Sequence, residues 1–336
     1  MHRSLALVAL VVTVAVAVDA AATYSLVKTI PIGGEGGWDY VTVDSAARRL
    51  YVSHGTKIVV VDIDAGKVVG EIPDTAGVHG FAVAPDLGRG FTSNGRANTS
   101  TIVDLKTLEP LGSVATGGNP DAIYYEPTRK EVYTMNGRGK SATVFDARTG
   151  AVTATIELGA KPEAVVHDVA AKRLYVNLED TGAIGVIDIT THTLAATWPI
   201  TGCEDPTGLA FDPRSHRLFS ACGNKVMAVT DSTNGKHVTS VPIGDGADGA
   251  AFDPATGMAF ASSGADGTVT IAHLDTPDTL TVVQTLKTAV SGRTMILDPV
   301  THAIFVPAGD TTPNPSGSGR AMSVPGTLKV LMFGMP

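Results

Sequence analysis

The sequence predicts an all-β fold: a seven-bladed β-propeller with four antiparallel strands in each blade. Short strands that are rich in aromatic and β-branched residues, such as residues 50–53, recur along the whole chain. Tight turns separate them, and the start of each unit follows the previous one after 40 to 45 residues, which is the spacing of propeller blades. The residues that mark these starts are Asp39, His79, Asp121, Glu163, Thr207, Asp248 and Arg293.

The order of strands and turns is the same in most units. The first strand leads into a turn such as Asp212-Pro213-Arg214, where proline presets φ and the preceding Asp can accept a backbone hydrogen bond. The second strand carries an aromatic residue, and the third often ends in Asp, as in residues 59–62. A further turn, as at Asp64-Ala65-Gly66, leads into the fourth strand. Each unit therefore forms one blade.

The two ends of the chain complete the prediction. The last unit lacks a fourth strand, and residues 23–32 have strand character but belong to no unit. We expect residues 23–32 to close the ring with residues 326–336. Residues 1–22 have a positive start, an apolar stretch and small residues at the end, which is the pattern of a signal peptide. The sequence thus predicts a secreted or periplasmic protein without a membrane span, in which residues 23–336 form one propeller.

The two cysteines lie in the fifth unit. Cys203 is in the loop before its first strand, and Cys222 ends its second strand. In an antiparallel pair these positions share one edge, and an exported chain with an even number of cysteines favours a disulfide. The alternative is a copper or zinc site with Met227 or Glu204.

Composition limits the classes of partner. The net charge is −8, only 5% of the residues are aromatic, and no run of basic residues occurs, so we expect no nucleic-acid binding. The sequence contains no Gly-x-Ser-x-Gly elbow, no Cys-x-x-Cys-His haem motif and no phosphate-binding loop. We expect a monomer that binds an unidentified protein or small ligand at the channel mouth.

That mouth is the candidate site, because the first strand of a propeller blade is the innermost and the seven markers should converge there. The candidate ligand-binding residues are Asp39, His79, Asp121, Glu163, Glu179, Glu204, Asp248 and Arg293. Crowded carboxylates raise one another's pKa, so compensation is expected from Arg293, as the lone cation, from water, or from a bound cation. Ca²⁺ or Mg²⁺ would suit the oxygen ligands, and the imidazole would admit Zn²⁺. The candidate metal ligands are Asp39, His79, Asp121, Glu163 and Asp248, with nearby asparagine oxygens at Asn94, Asn119, Asn136 and Asn177. A divalent metal ion (Ca²⁺, Mg²⁺ or Zn²⁺) is the candidate cofactor, and the sequence assigns no other.

Several motifs resemble those of the YVTN-repeat propellers. They are Tyr51-Val52-Ser53-His54, Phe91-Thr92-Ser93-Asn94, Tyr133-Thr134-Met135-Asn136 and Gly118-Asn119-Pro120-Asp121. The chain from residue 23 onward resembles secreted bacterial YncE-like proteins, within the quinoprotein amine dehydrogenase-like superfamily. The resemblance implies the propeller fold but no single activity, because that group includes lactonases, lyases, dehydrogenase heavy chains and surface-layer proteins. A WD40 repeat is disfavoured, because no Trp-Asp pair ends the third strands.

Two classes of function follow from these residues. In the first, the mouth of the channel binds a ligand or partner, and the protein is a scaffold. In the second, it is a metal-assisted hydrolase, such as a lactonase, or a lyase, with His79 as acid and base and Arg293 binding an oxyanion or carboxylate. An electron-transfer subunit is less favoured without a haem motif. Residues 309–327 should overhang the mouth as a linker or as a lid with Arg320 facing the acids, and His54 is predicted to be a surface histidine.

Overall fold

A computed structural model describes residues 23–314 and 321–335 and, across them, contains seven four-stranded antiparallel sheets arranged as blades. The predicted seven-bladed propeller is confirmed. In the described part of the chain, no helix has the length and apolar character needed to cross a membrane. The predicted signal peptide, residues 1–22, lies outside the described residues.

The strands of each blade follow one another from the channel outward. In blades 1 to 3 they are Trp38–Asp44, Arg49–His54, Lys57–Asp62 and Lys67–Ile72; Val78–Ala84, Arg89–Asn94, Thr99–Asp104 and Pro110–Ala115; Pro120–Glu126, Glu131–Asn136, Ser141–Asp146 and Val152–Glu157. In blades 4 to 6 they are Pro162–Asp168, Arg173–Leu178, Ala183–Asp188 and Thr193–Pro199; Pro206–Asp212, Arg217–Cys222, Val226–Asp231 and His237–Pro242; Ala247–Asp253, Met258–Ser263, Thr268–Thr276 and Thr279–Lys287. Short 3₁₀ turns lie at Pro85–Leu87 and Glu179–Thr181.

Blade 7 joins the two ends of the chain. Its order from the channel outward is Ile296–Leu297, Ile304–Ala308, Lys329–Gly334 and Ser25–Pro31. The outermost strand pairs antiparallel with Lys329–Gly334, so the predicted closure by the N-terminal strand is confirmed. The Tyr24 hydroxyl also donates to the carbonyl of His302 at 2.7 Å, which fixes the start of that strand.

The periodic aromatic residues form the core between blades. The second strands contribute side chains that are almost fully buried: Tyr51, Phe91, Tyr133, Tyr175, Phe219, Phe260 and Phe305. Tyr51 stacks on Phe81 of the next blade with ring centroids 4.5 Å apart, and Phe219 stacks on Phe252 at 4.9 Å. Such pairs contribute about 0.5–1.5 kcal/mol beyond burial itself. The repeated aromatic residue therefore holds each blade to its neighbour.

A disulfide joins Cys203 to Cys222, with 5.4 Å between their Cα atoms, as the sequence predicts. Both sulfur atoms are used, so the alternative of a thiolate metal site does not apply. Cross-linking residues 19 apart stabilises the fold by about 3 kcal/mol in the chain-entropy account. The bridge fixes the loop before the inner strand of blade 5.

Candidate ligand site at the channel mouth

A bulge in each inner strand of blades 1 to 6 positions the marker residues. The pairing register shifts between Trp38 and Val41 in blade 1, and corresponding shifts occur in the next five blades. In blades 1 to 6 the marker is the second residue of the inner strand, whereas Arg293 lies three residues before the short inner strand Ile296–Leu297 of blade 7. At the bulge the marker has no paired residue on the second strand. In blade 1 the N–H of Asp39 donates to the Ser53 hydroxyl instead, at 2.9 Å.

The markers surround a cavity of about 650 Å³ at one end of the channel. All seven line it, together with Glu179 and with Lys161, Trp38 and Tyr40. The short hairpin of Thr311–Thr312 and Met322–Ser323 also reaches this cavity, as expected for the insertion in blade 7. Arg320 lies outside the described residues. The structure does not bring Glu204 into the cavity: it is exposed, and its backbone N–H donates to Asn224.

His79 lies between two carboxylates. Its Nδ1 is 2.6 Å from Oδ2 of Asp39 and 3.6 Å from Oδ1 of Asp121. Burial lowers the pKa of His79, but the hydrogen bond that its Nδ1 donates to Asp39 and the two negative charges outweigh burial, so the pKa lies above its ordinary value. Asp39 therefore holds the His79 ring in place, and Asp121 is a second, more distant acid beside the same nitrogen.

Arg293 joins the two ends of the ring. Its Nη1 donates to Asp248 at 2.7 Å, and its Nη2 lies 3.2 Å from Asp39 and donates to the carbonyl of Trp38 at 2.6 Å. The guanidinium therefore pairs with two acids of the mouth, as its expected role of compensating cation requires. Blade 7 is thereby tied to blades 6 and 1 at the mouth.

Lys161 is a second cation that the sequence analysis missed. Its ammonium group lies 2.6 Å from Oε1 of Glu163 and also bonds to Glu179. The expectation of Arg293 as the lone cation of the ring was therefore wrong. The available signal was the position of Lys161, two residues before a marker, where its side chain reaches the same mouth.

Two carboxyl groups have pKa values well above the usual range. Burial is the main cause for Asp121, and the charges of Asp39 and Asp248 add to it, against the opposing charges of His79 and Lys161. Burial also raises the pKa of Glu163, with the Asp121 charge adding to it, although Lys161 acts in the opposite direction. The side chains of Asp121 and Glu163 are only 12% and 9% exposed. The positive charges of His79 and Lys161 thus offset only part of the effect of burial and of the neighbouring carboxylates on Asp121 and Glu163.

Tyr40 lies beneath these acids. It lines both the mouth cavity and a narrower cavity of about 190 Å³ deeper in the channel. Although it belongs to blade 1, its side chain packs against the hydrophobic cluster of blades 3 and 4. Burial, followed by the charges of the surrounding acids, raises the pKa of its phenol well above the ordinary value. Tyr40 therefore keeps its phenol proton, and its ring separates the mouth cavity from the deeper one. We call it the aromatic floor of the mouth cavity.

The predicted metal ligands divide into two sets. Potential ligand atoms of Asp39, His79 and Asp121 all lie within 4.8 Å of one another, whereas Glu163 and Asp248 do not belong to that described group. The separation of 2.6 Å between His79 Nδ1 and Asp39 fits a shared proton, because two ligands at about 2.0–2.2 Å from one metal ion lie farther apart. A metal ion there would require these side chains to separate.

Three of the expected amide ligands make hydrogen bonds within a blade or between neighbouring blades. Asn94 donates to Thr101, Asn136 to Thr143 and Asn177 to the carbonyl of Gly208, while Asn119 does not line the cavity. His54 is also not a surface histidine. It is 1% exposed, and its Nδ1 lies 3.2 Å from the carbonyl of Gly37, because the glycine-rich loop before blade 1 covers it.

The fold is similar to that of several solved structures. Hydrazine synthase of Kuenenia stuttgartiensis aligns with a TM-score of 0.72 and 17% identity, over 89% of this chain and 97% of that chain. The WD40 repeats of RRP9 align with a TM-score of 0.76 and 10% identity, over 91% and 97%, and U3-55K with 0.75 and 10%, over 90% and 97%. At these identities the likeness shows the propeller fold alone. No family model and no curated protein matches the sequence.

Proposed function

We propose that this chain is an exported propeller of the YVTN-repeat type that binds a small organic ligand in the mouth cavity, as a binding protein. The observation that carries the proposal is the convergence of all seven markers on one cavity. Its volume of about 650 Å³ lies within the range of small-molecule sites, which combine apolar walls with a few polar groups.

The depth of the charged groups supports a small ligand over a protein partner. The side chains of Asp39, His79 and Arg293 are 15%, 27% and 17% exposed, and all three line the cavity. A broad protein surface would contact the rim and leave these groups untouched. A small molecule that enters the cavity would meet them directly.

A blocking variant tests the proposal. Ala265 is exposed and lines the cavity, so Ala265→Trp should fill its opening without removing a charge. Ala97 is an exposed residue of the matching turn in blade 2 that does not line the cavity, so Ala97→Trp is the control. We expect at least one compound of a metabolite library to raise the melting temperature of the wild type and of Ala97→Trp, but not of Ala265→Trp. A library without any stabilising compound, or equal stabilisation of both variants, would contradict the proposal.

Export is supported by the signal-peptide pattern of residues 1–22 and by the disulfide, because disulfides persist in oxidising compartments. The full chain, expressed with a C-terminal tag in a bacterium, should appear outside the cytoplasm with a new N-terminus near residue 23. N-terminal sequencing of the fractionated protein checks this. Uncleaved protein in the cytoplasm would contradict it.

A second candidate is a metal-assisted hydrolase or lyase, favoured by the grouping of Asp39, His79 and Asp121. Ca²⁺, Mg²⁺ and Zn²⁺ would be tested singly on chelator-treated protein by thermal melting and by lactone hydrolysis. A selective rise in melting temperature together with turnover, both lost in Asp121→Asn, would support an enzyme. Absence of both effects with every ion would eliminate this candidate.

A further inference from the structure

We propose that the ligand of the mouth cavity is an organic cation, an amine or quaternary ammonium compound, whose charge is balanced by Asp121 and Glu163. This inference rests on the proposed function and names the chemical class that the site would select. Three features of the cavity support it: the pairing of its cations, the surplus of its acids and its aromatic floor.

The cationic groups of the described lining already lie between carboxylates. Arg293 contacts Asp39 and Asp248, and His79 contacts Asp39 and Asp121. Lys161 is held in the same way by Glu163 and Glu179. An anionic ligand would have to displace a carboxylate from one of these pairs, in a cavity that carries negative charge. The site therefore disfavours anions.

The acids exceed the permanent cations. Among the described lining residues, Asp39, Asp121, Glu163, Glu179 and Asp248 face only Lys161 and Arg293, with His79 as a titrating third cation. Asp121 and Glu163 are the most buried of these carboxylates, with side chains 12% and 9% exposed. Glu163 shares Lys161 with Glu179, and Asp121 lies 3.6 Å from a His79 nitrogen that is closer to Asp39. A bound cation would supply the positive charge that these acids lack.

The aromatic floor favours an organic cation over a hydrated metal ion. Tyr40 and Trp38 both line the cavity, and four acids lie near enough to Tyr40 to act on its phenol. Aromatic faces attract ammonium groups through the ring quadrupole and also accept the attached hydrocarbon. Carboxylates beside aromatic rings therefore match the two halves of an organic ammonium ion.

Three probes of nearly equal size separate charge from shape. Phenethylamine, phenethyl alcohol and phenylacetate would be titrated calorimetrically into the chelator-treated mature chain at neutral pH. We expect the amine to bind at least about tenfold more tightly than the alcohol, and the acid to bind most weakly, because a charged contact contributes more than a neutral one.

Charge-removing variants identify the counter-ions. Asp121→Asn and Glu163→Gln should each weaken amine binding about tenfold, with little effect on the alcohol. Glu204→Gln is the matched control, because Glu204 is exposed near the mouth but outside the cavity, and it should change the amine affinity less than about twofold. Melting curves would confirm that each near-isosteric variant is folded.

Equal or tighter binding of the alcohol or phenylacetate, or unchanged amine binding in both acid variants, would overturn the inference but leave ligand binding by the cavity intact. Failure of the amine to bind would also overturn it, whereas the library screen with Ala265→Trp decides the proposed function separately.

Discussion

The two ends of the inner strands carry buried acids in opposite electrostatic situations. At the far end, Asp298 is fully buried and accepts hydrogen bonds from the hydroxyls of Ser45 and Thr301 at 2.6 and 2.7 Å. Arg48 adds a guanidinium bond at 2.9 Å. Burial alone would raise the pKa of Asp298, but these bonds outweigh it and hold the pKa below its ordinary value.

At the mouth, the Asp121 side chain is 12% exposed, and its neighbours include other acids. His79 lies 3.6 Å away, and the charges of Asp39 and Asp248 oppose ionisation. The comparison teaches that burial alone does not decide the state of a carboxyl group. Donors around Asp298 make it part of the scaffold, whereas the surplus charge around Asp121 reduces stability and leaves a group available to a ligand.

The largest expected effect comes from the same substitution at the two ends. Asp298→Asn replaces an acceptor that several donors surround, so we expect a loss of about 3 kcal/mol in the free energy of unfolding. Asp121→Asn removes surplus charge, so we expect no loss and a gain of up to about 1 kcal/mol at neutral pH. Urea unfolding of the two variants beside the wild type measures both. Similar losses at both ends would remove the distinction between them.

The pH dependence of stability gives the next effect. Asp121, Glu163 and His79 have pKa values raised by folding, so their contribution is complete below their unfolded pKa values and is lost as the pH rises through the folded values. Asp298 behaves oppositely: its contribution is present above the ordinary carboxyl range, about pH 4, and is lost as the pH falls through its lowered pKa.

We therefore expect the melting temperature to fall as the pH rises from weakly acidic to alkaline values. Glu163→Gln should reduce this decline by about 2–4 °C, which corresponds to roughly 1 kcal/mol. Glu204→Gln should keep the wild-type profile, because Glu204 is exposed outside the cavity. If the melting temperatures of the wild type and Glu163→Gln fell in parallel with rising pH, ionisation of Glu163 would not reduce stability.

Periodicity predicted the fold and the convergence of the markers, because the repeat fixes the position of each residue along its blade. It could not predict Lys161, whose role depends on its approach to Glu163 and Glu179 in space. It also missed Tyr40, which crosses the channel from blade 1 to blades 3 and 4. Contacts across the ring depend on side-chain direction, which the bulges set and the repeat does not reveal.

The predictions for Glu204 and His54 were wrong for similar reasons. Glu204 is close to a marker in sequence but is exposed outside the cavity, and its loop is held by the disulfide at Cys203. His54 ends the second strand of blade 1, a position that is buried in blades 1 to 6, and the glycine-rich loop before blade 1 covers it. In both cases the path of a loop decides exposure, and neither composition nor spacing fixes that path.

The smallest expected effect concerns the positioning of Asp39. The Ser53 hydroxyl accepts from the N–H of Asp39 and donates to the carbonyl of Tyr40 at 3.1 Å. Ser53→Ala should cost about 1 kcal/mol in unfolding free energy and weaken amine binding a few-fold. Ser100→Ala is the control, because this buried hydroxyl has no hydrogen-bond partner among the described residues. If Ser53→Ala and Ser100→Ala changed the unfolding free energy and the amine affinity equally, Ser53 would have no specific role in the bulge.

A carboxyl ¹³C NMR titration tests the central claim most directly. Signals assigned through Asp121→Asn and Glu163→Gln should titrate well above the ordinary carboxyl range of about pH 4, and phenethylamine should move both midpoints downward. That result would show surplus negative charge at the mouth and its neutralisation by a cation. Midpoints within the ordinary range, unchanged by the amine, would contradict the account.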